Sequence, residues 1–182
     1  MIAILLAGVL GCMVPGTPAF AEPLSKSTYA NLSIIEGFRG VPFGELEYKR
    51  EELLLYDASG PNTYYTRNKE NMMFGAARLD GVAYIYNGGM FWSGGLFVYP
   101  SKIDTQVAVL HLQDLFGKEH FDEILDGQRT LTWYGRNVII VCEFSEGDDG
   151  SNIYFYDLKR IKDNIDNPAQ PTHPVGALGT NL

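Results

Sequence analysis

The sequence predicts an α+β fold: an antiparallel sheet, made of a hairpin and a three-stranded meander, with one main helix packed on one face. Three observations carry this. Blocks rich in aromatic and β-branched residues, bounded by Gly, Asn and Asp, occur both early and late in the chain. One stretch, Lys102 to Phe116, switches to helical spacing. The order strands, helix, strands segregates the helix to one face of the sheet, which leaves the other face to solvent or to a partner.

The elements follow in order. Residues 1–21 read as an export signal. Ile2 to Val14 is apolar apart from glycines and one cysteine, Pro15 and Pro18 break the run, and Ala19-Phe20-Ala21 gives the small-x-small pattern that precedes cleavage before Glu22. An apolar run of about 13 residues is short of the roughly 20 that span a bilayer, so the mature chain carries no transmembrane helix. Val9-Leu10-Gly11-Cys12 offers a second reading, a lipobox with Cys12 as the lipid attachment site. Residues 22–31 form a polar lead-in arm, and residues 32–166 a single domain.

Ile34 to Gly44 spaces aromatic residues through glycines and a proline, which suits an ordered loop whose rings plug the core. Leu46 to Arg50 and Leu53 to Tyr56 read as strands in preference to a helix over Glu45 to Tyr56, because turn-rich Asp57 to Thr63 leads into a strand at Thr63 to Thr66. Gly81 to Tyr86 and Phe91 to Tyr99 form a hairpin around Asn87-Gly88-Gly89. Ser93-Gly94-Gly95 places a bulge in its second strand. Ser101 caps the helix, Gly117 stops it, and Ile103, Val107, Leu110 and Asp114 or Leu115 mark its packing face, filled out by Ala108 and Phe116.

Lys118 to Gly127 is a mixed, acidic connector with room for a helical turn. The meander is Arg129 to Tyr134, Val138 to Phe144 and Asn152 to Asp157, turned at Gly135-Arg136-Asn137 and at Glu146 to Ser151. Leu158 to Ile165 forms a last helix. Residues 167–182, with three prolines, two glycines and few large apolar groups, form a disordered tail.

Charge and composition exclude several functions. A formal charge of −8 argues against nucleic acid, whose phosphates attract Lys and Arg, and against docking on anionic lipid. After cleavage Cys142 is the only cysteine, so no internal disulfide forms; in its apolar run it reads as an inert, buried thiol. His111, His120 and His173 have no metal-ligand spacing. No G-x-S-x-G surrounds Ser93, and no phosphate loop is present. Glu146 to Ser151 lacks an EF-hand spacing and reads as a solvated turn. Neither a metal nor a cofactor is expected, and no catalytic residue is assigned. Asn31-Leu32-Ser33 is a glycosylation sequon, accidental in a bacterial chain.

Gly37-Phe38-Arg39-Gly40-Val41-Pro42-Phe43-Gly44, followed by Phe116-Gly117 and Thr132-Trp133-Tyr134-Gly135, resembles a pattern in small exported bacterial proteins of unknown function. The resemblance covers Ile34 to Asp157. It implies a small α+β module of the kind found among envelope-assembly lipoproteins and secreted inhibitors, and it implies no catalytic residues.

The function expected from these readings is that of a non-enzymatic accessory or binding protein, periplasmic, secreted or anchored through Cys12. Its partner is another envelope protein or a small ligand. Tyr84, Tyr86, Phe91, Trp92 and Trp133 are the candidate binding surface, an exposed aromatic strip. The alternatives are a secreted hydrolase using two carboxylates and an inhibitor of another exported protein.

Overall fold

The computed structural model describes residues 32–145 and 150–166. The expected signal segment with Cys12, the expected arm 22–31 with Asn31 of the sequon, residues 146–149 of the expected acidic turn, and the expected tail 167–182 with His173 lie outside the described residues.

In chain order the elements are β1 (Gly37–Phe38), β2 (Val41–Pro42), a 3-10 turn (Glu47–Lys49), β3 (Leu53–Ser59), β4 (Asn62–Arg67), β5 (Met73–Phe74), β6 (Ala77–Asn87) and β7 (Met90–Val98). Then come α1 (Lys102–Phe116), β8 (Phe121–Leu125), β9 (Gln128–Tyr134), β10 (Val138–Ser145), β11 (Ser151–Asp157) and α2 (Leu158–Asp166). β1 and β2 pair with each other. The rest form one antiparallel sheet in the order β3-β4-β6-β7-β11-β10-β9-β8, with β5 beside part of β6. The architecture is α+β, as the sequence predicts. The hairpin and the meander are halves of one sheet, joined where β11 returns beside β7 from Ser151↔Val98 to Tyr156↔Ser93.

Strand alternation assigns the two faces. Tyr84, Tyr86, Leu96, Trp133, Ile140 and Ile153 are fully buried on the face under α1. Each such side chain contributes about 1.5–3 kcal/mol through apolar area removed from water. Trp133 also donates its indole N–H to the Gly117 carbonyl at 2.8 Å, tying β9 to the end of α1.

The β1–β2 hairpin closes the same core. Phe38 is buried on the sheet against Tyr84 and Phe155, with ring centroids at 5.5 and 5.3 Å. Three arginines hold this hairpin down. Arg39, at the tip with φ 47°, donates to Glu70 at 2.9 Å and to the Met73 carbonyl at 2.8 Å. Arg67 donates to the Arg39 carbonyl at 3.2 Å. Arg50 reaches the Gly40 carbonyl at 2.9 Å while clasping Glu45 through two bonds of 2.6 and 3.0 Å. These contacts fix a non-glycine residue in left-handed backbone, a conformation that costs about 1–2 kcal/mol on its own.

Four expectations are corrected. Leu46 to Arg50 is not a strand; the 3-10 turn occupies Glu47–Lys49, where Tyr65 donates its hydroxyl hydrogen to Glu47. The bulge lies two residues before the glycine pair. Tyr86 pairs with Phe91 and Ile85 with Ser93, so Trp92 is the extra residue, and Gly94 and Gly95 continue the ladder opposite Tyr84 and Ala83. The acidic connector contains β8, because the edge of β9 supplies a full ladder from Phe121↔Thr132 to Leu125↔Gln128.

The fourth correction concerns α1. Its span, the Ser101 cap and the Gly117 stop are as expected. Its packing face is as expected only in part: Ala108 and Phe116 are buried, and Val107 and Leu115 pack against the core. Ile103 and Leu110 are 72% and 59% exposed, while Asp104, Thr105, Ala108, Leu112 and Phe116 are buried. Asp104 decides the rotation. Its carboxylate accepts from the Arg78 backbone N–H at 2.8 Å and from the Arg78 guanidinium at 2.7 Å, pinning the first turn of α1 to β6. That ion pair holds the Asp104 carboxyl down at about 2.

Candidate binding face

The sheet face turned away from α1 carries its own aromatic row. In β11, Ile153 and Phe155 point into the core, and the alternate residues Tyr154 and Tyr156 point out. Their rings stack at 5.7 Å, with an interplanar angle of 26°. On β7, Phe97 meets Tyr154 edge-on at 6.3 Å, and Trp92 lies 5.4 Å from Tyr156. The row therefore runs Phe97, Tyr154, Tyr156, Trp92 across two adjacent strands. Pair geometries of this kind add about 0.5–1.5 kcal/mol each beyond area burial.

Small residues shape the surface beneath the row. A side-chain carbon at Gly81 would stand 3.2 Å from the Phe97 ring, and one at Gly95 would stand 3.4 Å from Phe97 and 3.5 Å from Tyr154. The rings thus lie close over the backbone of β6 and β7. At one end, Ile161 of α2 packs on the cluster of Tyr64, Ile85 and Trp92, with Tyr156 beside it.

This end also holds polar atoms without partners. Trp92 Nε1, Ser93 Oγ and Arg160 Nε are shielded from solvent and make no hydrogen bond among the described residues. Arg160 uses another nitrogen to donate to the Asn87 carbonyl at 2.7 Å. Each is a buried polar atom left unpaired, which costs about 1–3 kcal/mol. Burial pushes the Tyr154 phenol up to about 12 and the Tyr156 phenol higher still, so both face any ligand as neutral hydroxyls.

The expected site residues divide between the faces. Tyr84, Tyr86, Phe91 and Trp133 are fully buried on the α1 side and form core rather than an exposed strip. Tyr84 donates its hydroxyl hydrogen to Glu70 at 2.5 Å and lies under Arg67, whose guanidinium carbon is 4.9 Å from the ring centre. Trp92 alone lies on the outer face, and it too is mostly buried. The inserted residue at Trp92 shifts the alternation between Phe91 and Ser93. Phe97 belongs to the aromatic hairpin Tyr84 to Tyr99, whereas Tyr154 and Tyr156 lie outside the expected surface, although the strict alternation of Asn152 to Tyr156 separates apolar from phenolic side chains.

The other candidates have local roles. His111 stands edge-on to Phe74 at 4.7 Å and fills the space over Gly75. Cys142 is buried, and its thiol is pushed up to about 12 by that burial. The carboxylates of Glu45, Glu70, Asp104 and Asp122 are each engaged by an arginine. Among the described residues no cluster of His, Cys, Asp and Glu is placed to hold a metal ion, and no helix is long and apolar enough to cross a membrane. Comparison of the chain with family models, curated proteins and solved structures finds no match in any of the three.

Proposed function

We propose that this chain is a non-enzymatic binding module of the bacterial envelope, which recognises an envelope protein or a small ligand through the outer face of its sheet. The observation that carries the reading is the Phe97–Tyr154–Tyr156–Trp92 row on the face that α1 leaves uncovered. Rings held by a sheet lose little freedom on binding, and Phe97, Tyr154 and Tyr156 are each partly open to solvent, as recognition anchors must be. The signal-like opening segment and the likeness to small exported proteins support a place outside the cytoplasm.

Trp92 is a built-in reporter. In a Trp133→Phe variant it is the only tryptophan. Titration with soluble glycan fragments and with peptides should give a saturable change in its emission for one of these classes, and Tyr154→Ala should abolish it. No change with either class, or an equal change in Tyr154→Ala, counts against the reading. The intact mass of the native protein tests its location: a chain starting at Glu22 means a free exported protein, and a lipidated start at Cys12 means a tethered one.

A further inference from the structure

The nine-stranded sheet ends at β8, and this edge differs from the opposite one. Among the described residues β8 pairs with β9 alone, which leaves one row of its backbone N–H and C=O groups open there. All five of its residues are exposed, and three are large and apolar: Phe121 at 53%, Ile124 at 60% and Leu125 at 75%. Edge strands are normally blunted by a bulge, a proline or a lysine. The far edge, β3, carries such a bulge between Leu55 and Asp57. β8 has no bulge, proline or lysine, its register with β9 is unbroken, and its only charges are the carboxylates of Asp122 and Glu123.

We propose that β8 is a docking edge for an extended, basic segment of a partner protein, which adds to the sheet as a further strand. Main-chain hydrogen bonds supply the attachment in this mode, and alternate side chains select the sequence. Phe121, Glu123 and Leu125 share one face of the strand, by alternation. Asp122, on the other face, is already held by Arg129 through bonds of 2.8 and 2.7 Å. Glu123 makes no ion pair among the described residues, and Asp126 follows at the turn. The matching partner strand therefore carries a Lys or Arg flanked at alternate positions by apolar residues.

A second copy of this chain fits poorly. Full antiparallel overlap of two β8 strands sets Glu123 opposite Glu123, and like charges directly opposed are destabilising. Two chains of charge −8 also repel. The edge is separate from the Tyr154–Tyr156 row, so this proposal stands or falls independently of the outer-face reading.

The test uses the full mature chain and a synthetic peptide, acetyl-Ser-Thr-Val-Thr-Lys-Thr-Val-Thr-Ser-amide, followed by backbone amide NMR. The expected result is saturable shifts at Phe121 to Leu125 and none at Leu53 to Ser59. Replacing the peptide lysine by glutamate should weaken binding about fivefold, and Glu123→Lys should reverse that preference. Methylating alternate peptide nitrogens should abolish binding, because the side chains remain but the ladder cannot form. Absence of shifts at β8, indifference to N-methylation, or a lysine preference that survives Glu123→Lys overturns the proposal. So does a concentration-dependent dimer of the chain itself through β8.

Discussion

Phe38 occupies the space that a side chain at Gly94 would need: a Cβ there would stand 2.1 Å from Phe38 Cδ1 and 2.2 Å from Cγ. The glycine is a seat in the sheet, and the hairpin ring is the plug that fills it. The pair joins the N-terminal hairpin to the centre of the sheet, where β7 lies between β6 and β11.

Gly94→Ala should therefore destabilise the protein by about 1–3 kcal/mol through overpacking. Phe38→Ala should cost about 3–5 kcal/mol through lost burial and an unfilled site. The two should not add: in the Phe38→Ala background, Gly94→Ala should be nearly neutral, because its obstacle is gone. Urea denaturation of the two single variants and the double variant measures the coupling. Full additivity would show that the ring does not sit on Gly94.

The rotation of α1 gives a second expectation. Leu112→Ala should cost about 2–5 kcal/mol, as for other fully buried leucines. Ile103→Glu and Leu110→Glu, on the exposed face, should change stability by less than about 1 kcal/mol. Thermal unfolding of the three variants checks this. The reverse ranking would restore the face that the apolar spacing alone predicts.

Acid sensitivity follows from Asp104. Its folded value, about 2, lies below the ordinary 3.8, so the charged form is favoured in the folded state. The stabilisation is complete above about pH 4, declines as pH falls through the interval between the two values, and is absent below about pH 2. Asp104→Asn should be less stable at neutral pH and should lose less stability between pH 4 and pH 2. Midpoints of urea unfolding measured across that range give the comparison. Parallel curves for the two proteins would show that the Arg78–Asp104 pair carries no such linkage.

At the alkaline end the sign is reversed in direction but not in logic. Tyr65 and Tyr86 are pushed up to about 12, mainly by burial, and Tyr84 is pushed higher by burial and by Glu70. A phenol raised in the folded state stabilises the fold below its ordinary value near 10, and this contribution is lost as pH rises through the folded value. Absorbance at 295 nm should show that these phenols ionise together with unfolding. Smooth titration near pH 10 in a protein that stays folded would contradict their burial.

Much of this fold is legible in the sequence, and the misreadings have identifiable causes. Ser101 and Gly117 mark the ends of α1 because capping is local chemistry. Its packing face depends on Arg78, 26 residues upstream of Asp104, and apolar residues on both sides of the helix hide that dependence. β8 has the composition of a connector, and β9 makes it a strand. Asp126-Gly127, with φ of 52° and 81°, is nevertheless a local hairpin signal, and it lies directly between the two strands. The outer aromatic row is hidden for another reason. Tyr84 and Tyr154 are the same residue type in similar strands, and only long-range pairing sets which face each one joins.

The most direct test of the division between a structural face and a binding face is photo-crosslinking in the native host. A benzophenone side chain would be placed at position 154 on the outer face and, as a control, at exposed position 80 on β6. The account predicts a discrete adduct from position 154 that is absent from position 80 and is suppressed by Tyr156→Ala. No adduct from position 154, or the same adduct from both positions, would contradict it.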